Sequence, residues 1–213
     1  MRTSITAEDF LAIFQKMADD LEATKDQLNE LDAAVGDGDQ GVTMTIGFRA
    51  VREALPGLRG QDVGTIVSRV GMAFNGKAAS TIGALFATGC MRAGKEARGK
   101  PEVNLAELAR MVEAGLVGIK ERGKAEVGDK TVLETLVPLS QALSAAAADG
   151  LPLDAALRRS LAAAEEGMKS TIPLRSKIGR ASWLADRTVG HQDPGATSFY
   201  LMWKSTVDYL TAT

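Results

Sequence analysis

At 213 residues the chain is long enough to bury one good hydrophobic core, so a single domain over residues 1–213 is expected. Its 25 basic and 27 acidic residues are interspersed and leave a net charge of −2, which excludes the basic footprint of a nucleic-acid-binding protein. We expect a cytoplasmic protein with no membrane partner, because the N-terminus lacks an apolar leader, no apolar run reaches membrane-spanning length, and there is a single cysteine.

Apolar residues recur at helical spacing along most of the chain. Thr6 and Asp9 form a capping arrangement before the first stripe, which runs from Phe10 and continues through Leu28 and Leu31. Further stripes predict helices over residues 43–55, 62–70, 78–94, 105–116, 131–148, 153–168 and 199–210. No run alternates with period two, so the chain is predicted to be all-α. The short turns favour antiparallel neighbours in an up-and-down bundle or ring.

The first loop between these helices is acidic. Asp32, Asp37 and Asp39 lie within eight residues of one another, in a glycine-rich stretch without lysine or arginine. Three carboxylates brought together repel one another unless a cation lies between them. The spacing excludes a calcium EF-hand, because Phe48 would occupy the position of its bidentate glutamate. A magnesium loop with a phosphorylated ligand is one interpretation, and an ordinary helix-to-helix turn is the other.

Three later stretches also interrupt the helical pattern. They are residues 122–131 (RGKAEVGDKT), 179–182 (GRAS) and 190–198 (GHQDPGATS). Arg180 or Lys130 would neutralise phosphate charge, and the free N–H groups at the start of the last helix, after residues 195–197, would favour a phosphate. Each stretch taken alone is also consistent with a solvated turn.

Together with the aspartate loop, these stretches resemble the motifs of the nucleotide-binding L subunit of dihydroxyacetone kinase. The likeness is colinear over residues 6–210, and the nine-residue stretch 190–198 is its most specific part. The resemblance implies an all-α, up-and-down barrel of eight antiparallel helices with the nucleotide site at one end. It also implies a kinase subunit that binds ATP or ADP and delivers the terminal phosphate of its bound adenine nucleotide to a short ketose. That ketose is held on a separate K-type subunit, without which this chain is inactive toward sugar.

The resemblance also implies a set of site residues. Two Mg²⁺ ions would be held by Asp32, Asp37 and Asp39, and Arg180 would be the phosphate-side cation, with no covalent catalytic residue. The implied nucleotide contacts are Gln40, Gly41, Val42, Thr43, Thr81, Ile82, Gly123, Val132, Arg180, Asp193, Pro194 and Gly195.

Two positions depart from the family pattern. Gln40 stands where the family has histidine or cysteine, and Ile82 stands at a phosphate-side hydroxyl position. These changes favour a relative that uses exchangeable ATP over a subunit that holds ADP and is recharged by a phosphotransferase-system protein. Two other classes stay open: a nucleotide-loaded regulatory module that docks on a transcription factor, and a helical protein whose site has decayed.

Overall fold

The computed structural model describes residues 2–212, and within them helices dominate. The α-helices are α1 (Ala7–Ala23), α2 (Lys25–Val35), α3 (Gln40–Ala54), α4 (Val63–Lys77), α5 (Thr81–Glu96), α6 (Leu105–Gly123), α7 (Leu133–Ala148), α8 (Leu153–Lys169) and α9 (Pro194–Thr211). Two short strands, β1 (Ser4–Thr6) and β2 (Glu102–Asn104), and two 3₁₀ segments, Leu55–Leu58 and Arg180–Thr188, complete the secondary structure of this range. The all-α prediction is confirmed.

Eight of the helices form a closed ring. Each packs on its neighbours in the order α1, α3, α4, α5, α6, α7, α8, α9, and α9 packs back on α1. Helix α2 stands outside this order and contacts α3, α9 and the 3₁₀ segment Arg180–Thr188. The expected up-and-down barrel of eight helices is therefore confirmed, with α2 as an additional element. Because successive helices run in opposite directions, every second connection reaches the same end of the barrel.

The sequence pattern does not predict the break between α1 and α2, which falls at Thr24. The Thr24 hydroxyl donates to the carbonyl oxygens of Asp20 (3.0 Å) and Leu21 (3.3 Å), and the Thr24 N–H also donates to Asp20 (3.0 Å). Such local side-chain bonds compete with continuation of a helix. The break lets α2 leave the ring and carry Asp32 into the loop that precedes α3.

The two strands are a second feature that the periodicity does not predict. They pair antiparallel, with Ile5 opposite Val103, and both of these side chains are fully buried. Runs of three residues are too short to show period-two alternation. The strands join the segments that lead into α1 and α6.

Large apolar side chains fill the barrel. Phe48, Phe74 and Phe86 form an aromatic cluster with ring centroids 5.0–5.8 Å apart, and Phe199 on α9 extends it. An apolar cavity of about 180 Å³ remains beside this cluster, between α1, α5, α6 and α9. Across residues 2–212, no helix has both the length and the apolar character that crossing a membrane requires.

Candidate functional site

Four connections meet at one end of the barrel: α2–α3, α4–α5, α6–α7 and the long α8–α9 connection. Between them lies a cavity of about 270 Å³, lined by residues from all four. Three of these connections overlap the predicted non-helical stretches; the α4–α5 connection does not, because residues 78–94 are predicted as one helix and α5 begins only at Thr81. The up-and-down order of the helices therefore brings distant motifs to one place.

The three aspartates of the α2–α3 connection form a single cluster. One carboxylate oxygen from each of Asp32, Asp37 and Asp39 lies within 4.8 Å of the others. Two backbone hydrogen bonds orient the Asp32 carboxylate, because its Oδ2 accepts from the N–H groups of Asp39 (2.9 Å) and Gln40 (3.2 Å). Carboxylate oxygens are the ligands that hard cations prefer, so this set of donors fits Mg²⁺.

Gly36 leaves the space that the Asp32 carboxylate occupies. Its φ of −153° is open to any residue, but a Cβ at this position would overlap Asp32 Oδ1. We expect Gly36→Ala to displace that carboxylate and to weaken Mn²⁺ binding in the presence of ADP about 10- to 100-fold, as changes behind metal ligands do. Electron paramagnetic resonance of bound Mn²⁺ measures this effect. The matched control is Gly57→Ala, where a Cβ meets open space; an equal loss in both variants would contradict the steric account.

Arg180 brings positive charge to the aspartate cluster. Its guanidinium forms an ion pair with the Asp37 carboxylate, and its side chain is 77% exposed. An exposed arginine that already faces the acidic cluster can turn toward an anionic ligand without leaving a buried charge behind. Its position agrees with the predicted role as a phosphate-side cation.

Lys130 is the other cation that the sequence offers for neutralising phosphate charge, and in the structure its ammonium group binds the protein's own carbonyl groups. The residue is 2% exposed, and its Nζ donates to the main-chain carbonyls of Leu174, Thr188 and His191. An ammonium group has three donors, so all of them are engaged within the protein. Among the described residues that line the cavity, Arg180 is thus the cation with donors to offer.

The start of the last helix also differs from the prediction. Helix α9 begins at Pro194 rather than near Phe199, and Asp193 caps it by accepting a hydrogen bond from the Ala196 N–H (2.6 Å). The helix N-terminus that was expected to attract a phosphate therefore already faces a carboxylate. Burial, with a smaller contribution from the nearby Glu134 carboxylate, raises the pKa of Asp193 to about 6, against the opposing effects of the bond from Ala196 and the charge of Lys130.

The raised pKa of Asp193 predicts a pH dependence of stability. Between the unfolded pKa of 3.8 and the folded value of about 6 the native state binds more protons, so the free energy of unfolding falls as the pH rises through this window. Asp193→Asn keeps a capping oxygen and removes the titration. Relative to this variant, we expect the free energy of unfolding of the wild type to fall by up to about 3 kcal/mol between roughly pH 4 and pH 7.5. Urea unfolding of both proteins at the two pH values measures this change. If the free energies of unfolding of wild type and variant differ by the same amount at both pH values, the raised pKa of Asp193 is contradicted.

The cavity also has an apolar lining. Ile82, Leu85, Ile119, Val132 and Leu133 line it. Ile82 and Val132, two of the predicted contacts, are themselves 8% and 7% exposed. A cavity lined by both charged and apolar side chains fits a ligand that carries both a flat ring and anionic groups.

The predicted nucleotide contacts fall into two groups. The cavity is lined by Gln40, Thr43, Thr81, Ile82, Gly123, Val132, Arg180, Asp193, Pro194 and Gly195, together with the three aspartates. Gly41 and Val42 do not line it. Gly41 is buried where α3 crosses α2, with no room for a Cβ beside the Lys25 carbonyl, and Val42 is 38% exposed on the outer face of α3.

Several residues at this site gave no recognisable signal in the sequence. Leu85 and Ile119 belong to helical stripes, where periodicity cannot separate a cavity wall from the core. Glu134 is 3% exposed and accepts from the N–H groups of Gly128 (2.7 Å) and Thr131 (2.6 Å), so it fixes the turn before α7. Ser80 caps α5 by accepting from the Gly83 N–H (3.1 Å) and also lines the cavity.

Comparison with known proteins supports the same interpretation. The model of the DAK2 domain family matches residues 34–208. The ADP-binding subunit DhaL of the PEP-dependent dihydroxyacetone kinase of Escherichia coli (strain K12) is 38% identical over 175 residues, covering 82% of this chain and 83% of that protein. The corresponding subunit of kinase 2 of Listeria innocua serovar 6a is 36% identical over 192 residues, covering 89% and 88%. The crystal structure of the dihydroxyacetone kinase from C. freundii in complex with AMP-PNP and Mg²⁺ superposes with a TM-score of 0.69 at 25% identity; the match covers 98% of this chain and 35% of that longer one.

Proposed function

Because this chain belongs to the DAK2 domain family, we propose that residues 1–213 form one nucleotide-binding domain, the L-type subunit of a kinase for dihydroxyacetone or a related short ketose. The subunit binds an adenine nucleotide and passes its terminal phosphate to a ketose held on a separate K-type subunit. One observation carries this proposal: Asp32, Asp37 and Asp39 converge beside Arg180 in a cavity that also has an apolar lining.

The acidic cluster is suited to divalent cations in this role. Three carboxylates and a polyphosphate exceed the single charge of Arg180 by a wide margin, so the site needs additional positive charge. We propose that Asp32, Asp37 and Asp39 hold two Mg²⁺ ions. Bound there, the ions would neutralise and orient the phosphate oxygens, which is the main chemical contribution that phosphoryl transfer requires.

The protein's own groups then position the nucleotide. Ile82 and Val132 offer apolar surface to the base and exclude water from that side. The Gln40 amide donates to Ser198 Oγ (2.9 Å) and so ties the start of α3 to the start of α9. Arg180 stabilises the charge that develops during transfer, and no residue of the chain needs to form a covalent bond to phosphorus.

We propose that the chain cannot phosphorylate a ketose alone. Its one histidine, His191, is exposed and does not line the cavity, which argues against a role in holding the sugar. The test is to combine the purified chain with a K-type subunit, a phosphate donor and dihydroxyacetone. Ketose phosphate should form only in the presence of both proteins. Formation by this chain alone, or no complex with a K-type subunit, would contradict the proposal, and binding to a transcription factor instead would favour the regulatory alternative.

The nature of the donor is a separate proposal. The departures at Gln40 and Ile82 favour exchangeable ATP, but relatives that the chain matches over 83% and 88% of their length are ADP-binding subunits of PEP-dependent kinases. We therefore propose that this chain keeps its ADP bound and is recharged by a phosphoprotein of the phosphotransferase system. Labelled ATP supplied with Mg²⁺ should then fail to exchange with the bound nucleotide. Rapid exchange would support direct use of ATP.

A further inference from the structure

Lys130 occupies an unusual position in the α6–α7 connection. Its φ of +62° lies in the left-handed region, which residues other than glycine seldom adopt. Its buried Nζ donates to the main-chain carbonyl oxygens of Leu174 (3.0 Å), Thr188 (2.5 Å) and His191 (2.6 Å). An ammonium group bound to three carbonyls is fully satisfied, so Lys130 acts as a fixed junction between two connections.

The three carbonyls mark the base of one loop. Leu174 precedes residues 175–187 and Thr188 follows them; we call residues 175–187 the Arg180 loop. Two further bonds close the same base, from the Ser176 N–H to Thr188 Oγ1 (2.9 Å) and from the Gly190 N–H to the Ile172 carbonyl (2.8 Å). The Arg180 loop has no strand or α-helix of its own. The bond from the Lys177 N–H to the Asp129 carbonyl (3.1 Å) and the contact of the 3₁₀ segment with α2 also hold this loop, but the bonds at its base set where its two ends lie beside the cavity.

A buried carboxylate holds the backbone around Lys130 in place. The buried Glu134 carboxylate in the first turn of α7 accepts from the backbone N–H groups of Gly128, Thr131 and, at 3.3 Å, Lys130 itself. Buried groups whose hydrogen bonds are all made hold a single geometry, because any displacement leaves a donor or acceptor without a partner. Lys130 therefore links both ends of the Arg180 loop to the first turn of α7.

We propose that Lys130 is a positioning residue for the nucleotide site, acting through Arg180 and not by contact with the nucleotide. It holds the Arg180 loop so that the guanidinium faces Asp37 and the metal-binding aspartates. The same junction fixes the His191 carbonyl two residues before Asp193, at the start of the other cavity-lining turn. The effect on nucleotide binding rests on the proposed function; the effect on the loop does not.

A tryptophan within the Arg180 loop makes this testable. The chain has two tryptophans, and Trp183 is 91% exposed, while Trp203 donates to Ser160 Oγ inside the barrel wall. In a Trp203→Phe background, fluorescence anisotropy of Trp183 therefore reports the order of the loop. Lys130→Met, which fills a similar volume without donors, should lower this anisotropy. It should also weaken Mg²⁺-ADP binding about 10- to 100-fold, the usual effect of removing support behind a binding site.

The control is Lys204→Met, which removes only an exposed ion pair with Asp208 on α9 and should change neither measurement. The proposal would be overturned if Lys130→Met only lowers the unfolding temperature, and the folded variant keeps the anisotropy and the affinity of the wild type. Lys130 would then stabilise the fold without positioning the loop. If circular dichroism shows that Lys130→Met does not fold, Lys130→Gln, which keeps two N–H donors, should change both measurements in the same direction. A wild-type protein that binds no Mg²⁺-ADP would overturn the proposed function instead, and the anisotropy would still test Lys130.

Discussion

Replacing Asp37 with alanine is expected to remove Mg²⁺-dependent nucleotide binding and to leave the helical fold intact. Asp37 is half-exposed in the α2–α3 connection and caps no helix, so its loss costs the fold little. Its carboxylate is one of three that converge within 4.8 Å, and the remaining two would have to hold the same cations. We expect affinity to fall at least about 100-fold, because changes behind metal ligands alone cost 10- to 100-fold.

Isothermal titration of Mg²⁺-ADP into wild type and variant, both first freed of bound nucleotide, measures this loss, and far-ultraviolet circular dichroism measures the fold of each. The matched control is Asp149→Ala, which removes an exposed carboxylate in the α7–α8 connection, away from the cavity. Titration without Mg²⁺ should give weak binding for wild type and variant alike. Unchanged affinity of Asp37→Ala would rule out the metal assignment.

Arg180→Gln is expected to slow phosphoryl transfer without weakening metal binding. Removing the guanidinium takes away the charge that stabilises the transferred phosphate, so kcat in the presence of a K-type subunit should fall about 10²- to 10³-fold. The KM for the ketose should change little, because the ketose is held on the partner. Binding of Mn²⁺ alone should not weaken, since Asp37 loses a cation that competes for its carboxylate.

The control for Arg180 is available in the same loop. Arg187 is exposed and does not line the cavity, so Arg187→Gln keeps the loop and the net charge of the Arg180 variant. Steady-state kinetics of both variants with a K-type subunit make the comparison. Equal losses in the two variants would show that the net charge of the loop matters, not the position of Arg180.

Local sequence patterns predict those features of the protein that depend on residues close together in the chain. The stripes from Phe10 to Leu21 and beyond predict helices because a buried face repeats every 3.6 residues. Thr6 and Asp62 mark helix starts because their side chains cap free N–H groups, and the structure confirms both. Aspartates as close together as Asp32, Asp37 and Asp39 indicate a cation site because like charges repel.

The remaining features depend on contacts between distant residues, which no local pattern reveals. The family resemblance implies a nucleotide contact at Gly41, but Gly41 lies in the first turn of α3, where its lack of a side chain allows the close approach of α2. Lys130 carries a charge expected near a phosphate and Asp193 belongs to a family motif, but Lys130 binds carbonyls 44 to 61 residues away and Asp193 caps its own helix. The fold brings hydrogen-bond partners to a buried charged group from distant parts of the chain. The sequence therefore shows the charge but not the groups that it binds.

The identity of the bound nucleotide tests the central claim most directly. Native mass spectrometry of the purified protein, with and without added Mg²⁺ and ADP, measures the mass that each folded chain carries. We predict one adenine nucleotide and two Mg²⁺ ions per chain in the wild type and neither in Asp37→Ala. A wild-type chain that remains free of nucleotide at saturating Mg²⁺ and ADP would contradict the proposal that this end of the barrel serves a kinase.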